Sequence, residues 1–442
     1  MKNKAFRILA LTLALLFVFS ALAACGDDTP NTQETTTGAP STTTAPNTTE
    51  PVTTAPVTTV PTTTVPVTNP PVTNPPVTTP PETDPVETMM PVPENEIFYP
   101  NVSEAKRYEN RKLQLTDKEV CDLIKIQGRS AGTDSGITLD WSGSAVEFYT
   151  YCSGDINMNF TVSDQESVIF RVFVDCESVG MVIADKITTK TYTMAKNLAE
   201  GRHLIRILRL TDVETSCVGI MASLNYIEMN GVLTNRPEDK EFMIEFLGDS
   251  VTCGVGTKSP TNGYAYADLS YAYKTAQKLD ADYSMVCISG IGTLSGTDRH
   301  DARGDNILTI YDYINHYRSK FAKYEPERKA DLVVIATNAN DDSSPKEKTY
   351  KEHVKELIAL IKATHGEDTK IVWIFGMYNS RSNPDTYVRQ IFKDYGGKEA
   401  GYYTLQLTRN NDGGDAHPTG EYHDKYAASL TGFIRKENIL SK

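Results

Sequence analysis

Four short polar runs stand out against the apolar stretches before them: Gly248-Asp249-Ser250, Ser289-Gly290-Ile291-Gly292, Asn338-Ala339-Asn340-Asp341 and Asp415-Ala416-His417-Pro418. They hold the parts of a nucleophilic, acyl-transferring site. Ser250 offers a hydroxyl, His417 can take its proton, and an asparagine amide and glycine N–H groups can hold an oxyanion. Ser250 follows the hydrophobic run 243–247 and precedes a turn ending at Gly254. That places its Oγ beyond the carboxyl end of a strand, where α/β sheets bind ligands. Each run alone is a weak signal, since Gly-Asp-Ser arises by chance and Asn-Asp reads as any turn. Their order, in step with successive strands, carries the meaning.

The elements that must position these residues follow from periodicity. Strand candidates at 242–247, 283–288, 331–337, 370–375 and 402–407 alternate with helix-like stretches at 264–279, 306–324, 346–364, 384–395 and 419–437. The alternation predicts a three-layer α/β/α domain over 239–442, with a five-stranded parallel sheet. Residues 94–238 read differently. Short segments of period two at 137–141, 145–149, 156–160, 167–175, 180–184, 203–209 and 222–228 predict an all-β jelly roll or sandwich. Trp141, Tyr149 and Tyr151 suit core or interdomain packing, or stacking on sugars.

The front of the chain reads as targeting. Lys2, Lys4 and Arg7 precede an apolar stretch, so 1–24 is expected to be a signal peptide. Leu22-Ala23-Ala24-Cys25 resembles a bacterial lipobox, which makes Cys25 the lipidated residue of a membrane-anchored, cell-surface protein, with simple secretion as the alternative. Residues 25–93 are rich in Thr, Pro and Val and cannot build a core. As a proline-stiffened linker, roughly 60 residues reach on the order of 150 Å.

The net charge of -13 excludes a general nucleic-acid binder. Beyond Cys25 the cysteines are scattered, which is no disulfide scaffold, although one or two bridges fit within 121–217. Cys253 and Cys287 read as buried small residues. Asp298, His300 and Asp301 read as a polar loop rather than a metal site, and no metal or cofactor is expected because hydrolysis by this set needs none. His423 reads as a surface or core residue of the last helix, and Asp249 as a structural acid bonded to turn amides.

The four runs together resemble the SGNH (GDSL-type) hydrolase superfamily. The resemblance implies that Ser250 is the nucleophile and His417 the base. It implies an oxyanion hole of the Ser250 and Gly290 amides and the Asn340 side chain, with Gly292 and Asn338 as the alternates. The aspartate usual three residues before the histidine is replaced by Gly414. Asp415, two before, is the remaining acid that could orient the imidazole, and a backbone carbonyl does so in some members. A closer resemblance, over roughly 95–440, is to carbohydrate esterase family 2. It rests on Gly248-Asp249-Ser250-Val251-Thr252-Cys253-Gly254, with Gly128-Arg129 and Asp140-Trp141-Ser142-Gly143 upstream. It implies removal of acetyl groups from plant polysaccharides or oligosaccharides of xylan or glucomannan. The alternatives are a deacylase of another glycan or lipid ester, and a non-catalytic carbohydrate-binding module on an esterase fold.

Overall fold

Alternating apolar residues along 111–233 build an antiparallel sheet. The computed structural model describes residues 111–163, 166–213, 221–258, 264–297, 304–314, 323–378 and 382–441. The leader, Cys25, the linker, Cys217 and the group Asp298, His300 and Asp301 lie outside the described residues. The first sheet comprises β1 (Arg111–Gln114), β2 (Lys125–Gln127), β3 (Ile137–Thr138), β4 (Ala145–Val162), β5 (Val168–Val174), β6 (Glu177–Ala184), β7 (Thr188–Arg209) and β8 (Ala222–Leu233), with one helical turn, α1 (Lys118–Cys121). Its order is β1-β8-β4-β7-β5-β6, with β2 added to β4 and β3 to β8.

The segments 145–149 and 156–160 are two halves of the single strand β4. Bulges between Cys152 and Asn157 bend its ladder with β7 without ending it. β7 likewise starts well before 203, because the Thr- and Lys-rich half from Thr188 is largely exposed and shows no apolar alternation. The bend turns the sheet on itself into a sandwich. Phe160 on the far half of β4 stacks on Phe170 of β5 at 4.5 Å, in a core with Phe148, Ile205 and Ile227.

The second sheet is parallel, in the order β10-β9-β11-β12-β13. Its strands are β9 (Phe242–Gly248), β10 (Ala281–Cys287), β11 (Leu332–Ala336), β12 (Lys370–Phe375) and β13 (Tyr402–Gln406). The helices are α2 (Ser250–Cys253), α3 (Tyr271–Lys278), α4 (Ile307–Tyr311), α5 (Glu347–His365), α6 (Ser382–Asp394) and α7 (Gly420–Lys436). Neighbouring residues of β9 serve opposite faces: Phe246 packs with Tyr271 of α3 and Leu430 of α7, and Leu247 with Leu357 of α5 and Ile391 of α6. This is the expected three-layer domain.

One expected helix is corrected. Among the described residues the stretch from 306 is helical over Ile307–Tyr311 and leaves the helix at Asp312. The carbonyls of Tyr311 and Tyr313, which a longer helix would use, instead accept from the Arg129 guanidinium. Similarly, α3 starts at Tyr271 rather than 264, where Ser270 caps it through Ala272 N.

Arg129 belongs to a buried seam between the domains. Arg129 and Glu245 are both fully buried, and Nη2 lies 3.0 Å from Oε1. His365 Nε2 lies 3.0 Å from the other carboxylate oxygen. Burial alone would raise the Glu245 carboxyl, but the Arg129 charge and the His365 contact outweigh it and hold the group below the ordinary range. Trp141 is fully buried and donates from Nε1 to the Ile314 carbonyl at 2.7 Å, so it is an interdomain residue. At Gly143 a Cβ would lie 2.5 Å from Met285 Sδ. The upstream motifs around Arg129 and Trp141 thus serve the domain contact.

Candidate active site

β9 ends at Gly248, where an added Cβ would lie 1.8 Å from Thr252 Oγ1. Only glycine lets the chain turn this tightly into α2. Asp249 caps that turn, its Oδ1 accepting from Val251 N at 3.0 Å. Burial pushes the Asp249 carboxyl up to about 7, against the amide bonds that favour its charged form. Gly254 closes the turn in the left-handed region, with φ 83. Ser250 is thereby carried just past the strand end, 7% exposed.

His417 arrives from the other side, on the loop between β13 and α7. Its Nε2 lies 2.7 Å from Ser250 Oγ. Its Nδ1 lies 2.7 Å from the main-chain carbonyl of Asp415. A carbonyl only accepts, so Nδ1 carries the proton and Nε2 is free to accept from the serine hydroxyl. Asp415 therefore meets His417 through its backbone oxygen rather than its carboxylate, and its side chain is exposed. Asp415 and Ala416 both adopt positive φ, 53 and 55. This left-handed pair aims the carbonyl at the ring, at a strain of about 1–3 kcal/mol per residue. Tyr378 stacks on the imidazole, with centroids 4.9 Å apart. Burial pushes the His417 pKa down, opposed by its bond to Asp415.

The loop is fastened to the segment after α2. Gly414 N donates to Gly256 O at 3.0 Å, Gly413 N to His417 O at 2.7 Å, and Gly420 N to Thr257 O at 3.0 Å. A Cβ on Gly256 would stand 2.2 Å from Gly414 O and 2.9 Å from His417 Cβ. Position 414, where the superfamily usually has its acid, is here used for backbone docking.

Gly290 and Asn340 lie on the two neighbouring strand ends. Gly290 has φ 79, and its carbonyl accepts from Thr297 N at 2.9 Å. The loop that follows is tied by Asp341, whose Oδ1 accepts from Leu294 N at 2.8 Å and Ser295 N at 3.1 Å. Gly292, the alternate glycine, is packed in that loop, where a Cβ would lie 2.2 Å from Ser295 O. Asn340 Nδ2 donates to Ile291 O at 2.9 Å and makes a long contact of 3.4 Å to Asp249 Oδ2. Asn338 points elsewhere and bonds Asp385 of α6.

The other candidates fall outside this chemistry. Cys253 and Cys287 are buried, and burial raises both thiols above their ordinary range. His423 is fully buried; its Nδ1 accepts from Tyr271 N at 2.9 Å. Among the described residues no cluster of metal-ligating side chains occurs. Cys121 and Cys152 are free thiols, and Cys217, at the end of the span where bridges fit, lies outside the described residues. Sequence reasoning missed Tyr378 and Gly256, neither of which carries a motif of its own.

Residues 244–429 match the family model described as GDSL-like Lipase/Acylhydrolase. With the parallel sheet and the Ser250–His417 pair, this gives residues 244–429 the fold and the serine–histidine contact of a GDSL-like hydrolase domain. The cellulase/esterase CelE of Acetivibrio thermocellus is 28% identical over 339 residues, covering 71% of this chain and 39% of that protein. The chain thus spans about two fifths of the length of that relative. An acetylxylan esterase / glucomannan deacetylase of Cellvibrio japonicus is 25% identical over 268 residues, 56% of this chain and 70% of the other. The solved structure of a family two carbohydrate esterase from Clostridium thermocellum in complex with cellohexaose is 26% identical, with TM-score 0.64, covering 72% of this chain and all of that one. The chain is thus similar, over about 70% of its length, to family two carbohydrate esterases of the GDSL-like type.

Proposed function

We propose that this protein removes O-acetyl groups from plant cell-wall polysaccharide, xylan or glucomannan or their oligosaccharides, through an acetyl-enzyme intermediate. The observation that carries this reading is the chain of two 2.7 Å contacts from Ser250 Oγ through His417 to the Asp415 carbonyl. The names of the relatives support acetyl as the acyl group and a β-linked glycan as its carrier.

Ser250 Oγ attacks the ester carbonyl as its proton passes to His417 Nε2. The oxyanion is held by the Ser250 and Gly290 amides and by Asn340, whose long contact to Asp249 is the one the anion replaces. The Asp415 carbonyl keeps the imidazolium in place. His417 then gives its proton to the departing sugar oxygen. Water repeats the sequence on the acetyl-serine and releases acetate. The leader, Cys25 and the proline-rich linker support action at the cell surface on an extended tether.

The test is acetate release from acetylated xylan, acetylated glucomannan and an aryl acetate, with Ser250→Ala beside the wild-type protein. Release by the wild type and its loss in the variant are expected. Undiminished release by Ser250→Ala sinks the proposal. Glycan binding by both proteins with no turnover by either favours a carbohydrate-binding role instead.

A further inference from the structure

The sandwich does more than pack against the catalytic domain. β7 ends at Arg209, which is fully buried. Its guanidinium donates to the carbonyls of Leu139 at 2.9 Å, Thr211 at 3.1 Å and Asp212 at 3.2 Å. These bonds fold the chain after β7 into a fixed hook. Leu210 packs with Val251 and Cys253 of the nucleophile turn, and Val213 packs with Ile288 and Ile291 of the oxyanion loop. The hook is wedged between the two parts of the site.

At its tip stands Asp212, 6% exposed. Its Oδ1 accepts from Val213 N at 2.6 Å. Its Oδ2 accepts from Ser289 N at 3.1 Å and also from the Ser289 hydroxyl. One carboxylate thus takes both donors of the residue just before Gly290, in charge-assisted bonds stronger than neutral ones. Fixing Ser289 at backbone and side chain fixes the peptide plane that presents the Gly290 N–H.

We propose that Asp212, supplied by the sandwich, is a positioning residue for the oxyanion hole: it holds Ser289 and, through it, the Gly290 amide. The inference rests on the esterase reading of Ser250 and His417. The carboxylate has a second effect. Its charge favours the protonated form of His417, the form that must exist while the oxyanion does. The other titratable groups facing that ring are Asp415 on its own loop, Tyr378 on its face and His423 of α7, kept neutral by burial.

The test is a pH series of kcat and KM on an aryl acetate for the wild type, Asp212→Asn, Ser289→Ala and Ser250→Ala. Asp212→Asn is expected to lower kcat about 10- to 100-fold with KM within about twofold. It should also move the acid limb of the kcat/KM profile to lower pH, since a charge that raised the His417 pKa is gone. Ser289→Ala should lower kcat about 3- to 10-fold and leave the acid limb in place, because the charge stays. A folded Asp212→Asn with wild-type kcat and an unshifted acid limb overturns the proposal alone. Should that variant not fold, Ser289→Ala decides: wild-type kcat there overturns it. A wild-type protein that cleaves no ester overturns the reading of the site, and this proposal with it.

Discussion

Residues 248–254 reach the site along a strand, whereas residues 410–419 reach it by lying on another loop. The nucleophile turn continues β9, the strand flanked by β10 and β11. Its position is a property of the sheet, and Asp249 and Gly254 close it locally. The histidine loop has no such support. It is held by single backbone bonds to Gly256, Thr257 and Met377 and by two residues in the left-handed region. Two different constructions therefore meet at one 2.7 Å contact. The sheet sets the nucleophile rigidly, and the looser partner is adjusted to it by small, non-local contacts.

Four experiments break or sharpen that contrast. The largest effect is expected on the rigid side: Ser250→Ala should reduce turnover on the order of 10⁵-fold, with an unchanged circular dichroism spectrum, because only the hydroxyl is lost. The next strikes the docking between the two regions. Gly256→Ala puts a methyl against Gly414 O and His417 Cβ, and a displacement near 1 Å should lower kcat about 100-fold. A wild-type kcat in that variant would mean the loop is not fastened there.

The third experiment is the pH profile. Burial lowers the His417 pKa from 6.5, and the neutral ring is the working form. The acid limb of kcat/KM should therefore be centred below pH 6.5, with activity lost as the pH falls through the lowered value. An acid limb centred above 6.5 contradicts this. The smallest effect is expected at the loop's own acid. Asp415→Asn keeps the carbonyl, so kcat should stay within about threefold, against the roughly 10⁴-fold loss seen where a carboxylate orients the ring. A loss of that size would restore the side chain as the orienting group.

The same contrast explains what could be read from sequence. Ser250, Gly290 and Asn340 were legible because strand ends are, and β12 was expected and found at 370–375. His417 was legible as a histidine before the last helix. Its orienting group was not, because any residue can supply a carbonyl, and the sequence displayed only a misplaced acid. Gly414 likewise looked like a gap in a motif, although the fold uses its N–H to dock on Gly256. Long-range partners were hidden for another reason. Arg129 and Glu245 are 116 positions apart, as Asp212 and Ser289 are 77 apart, and no local periodicity joins such pairs. The same Arg129 shortened α4, so one unseen contact also accounts for a misjudged helix.

The Arg129–Glu245 pair constrains how the gene for such a protein can be rearranged. A crossover between the last sandwich strand and β9 would strand a charged Glu245 in the centre of the catalytic sheet, and losing one partner of a buried pair costs about 3–5 kcal/mol. Swapping in a foreign sandwich therefore requires one that brings its own arginine to that spot. The pair therefore favours keeping the two domains together, and a catalytic domain cut away from the sandwich should lose stability through its orphaned carboxylate.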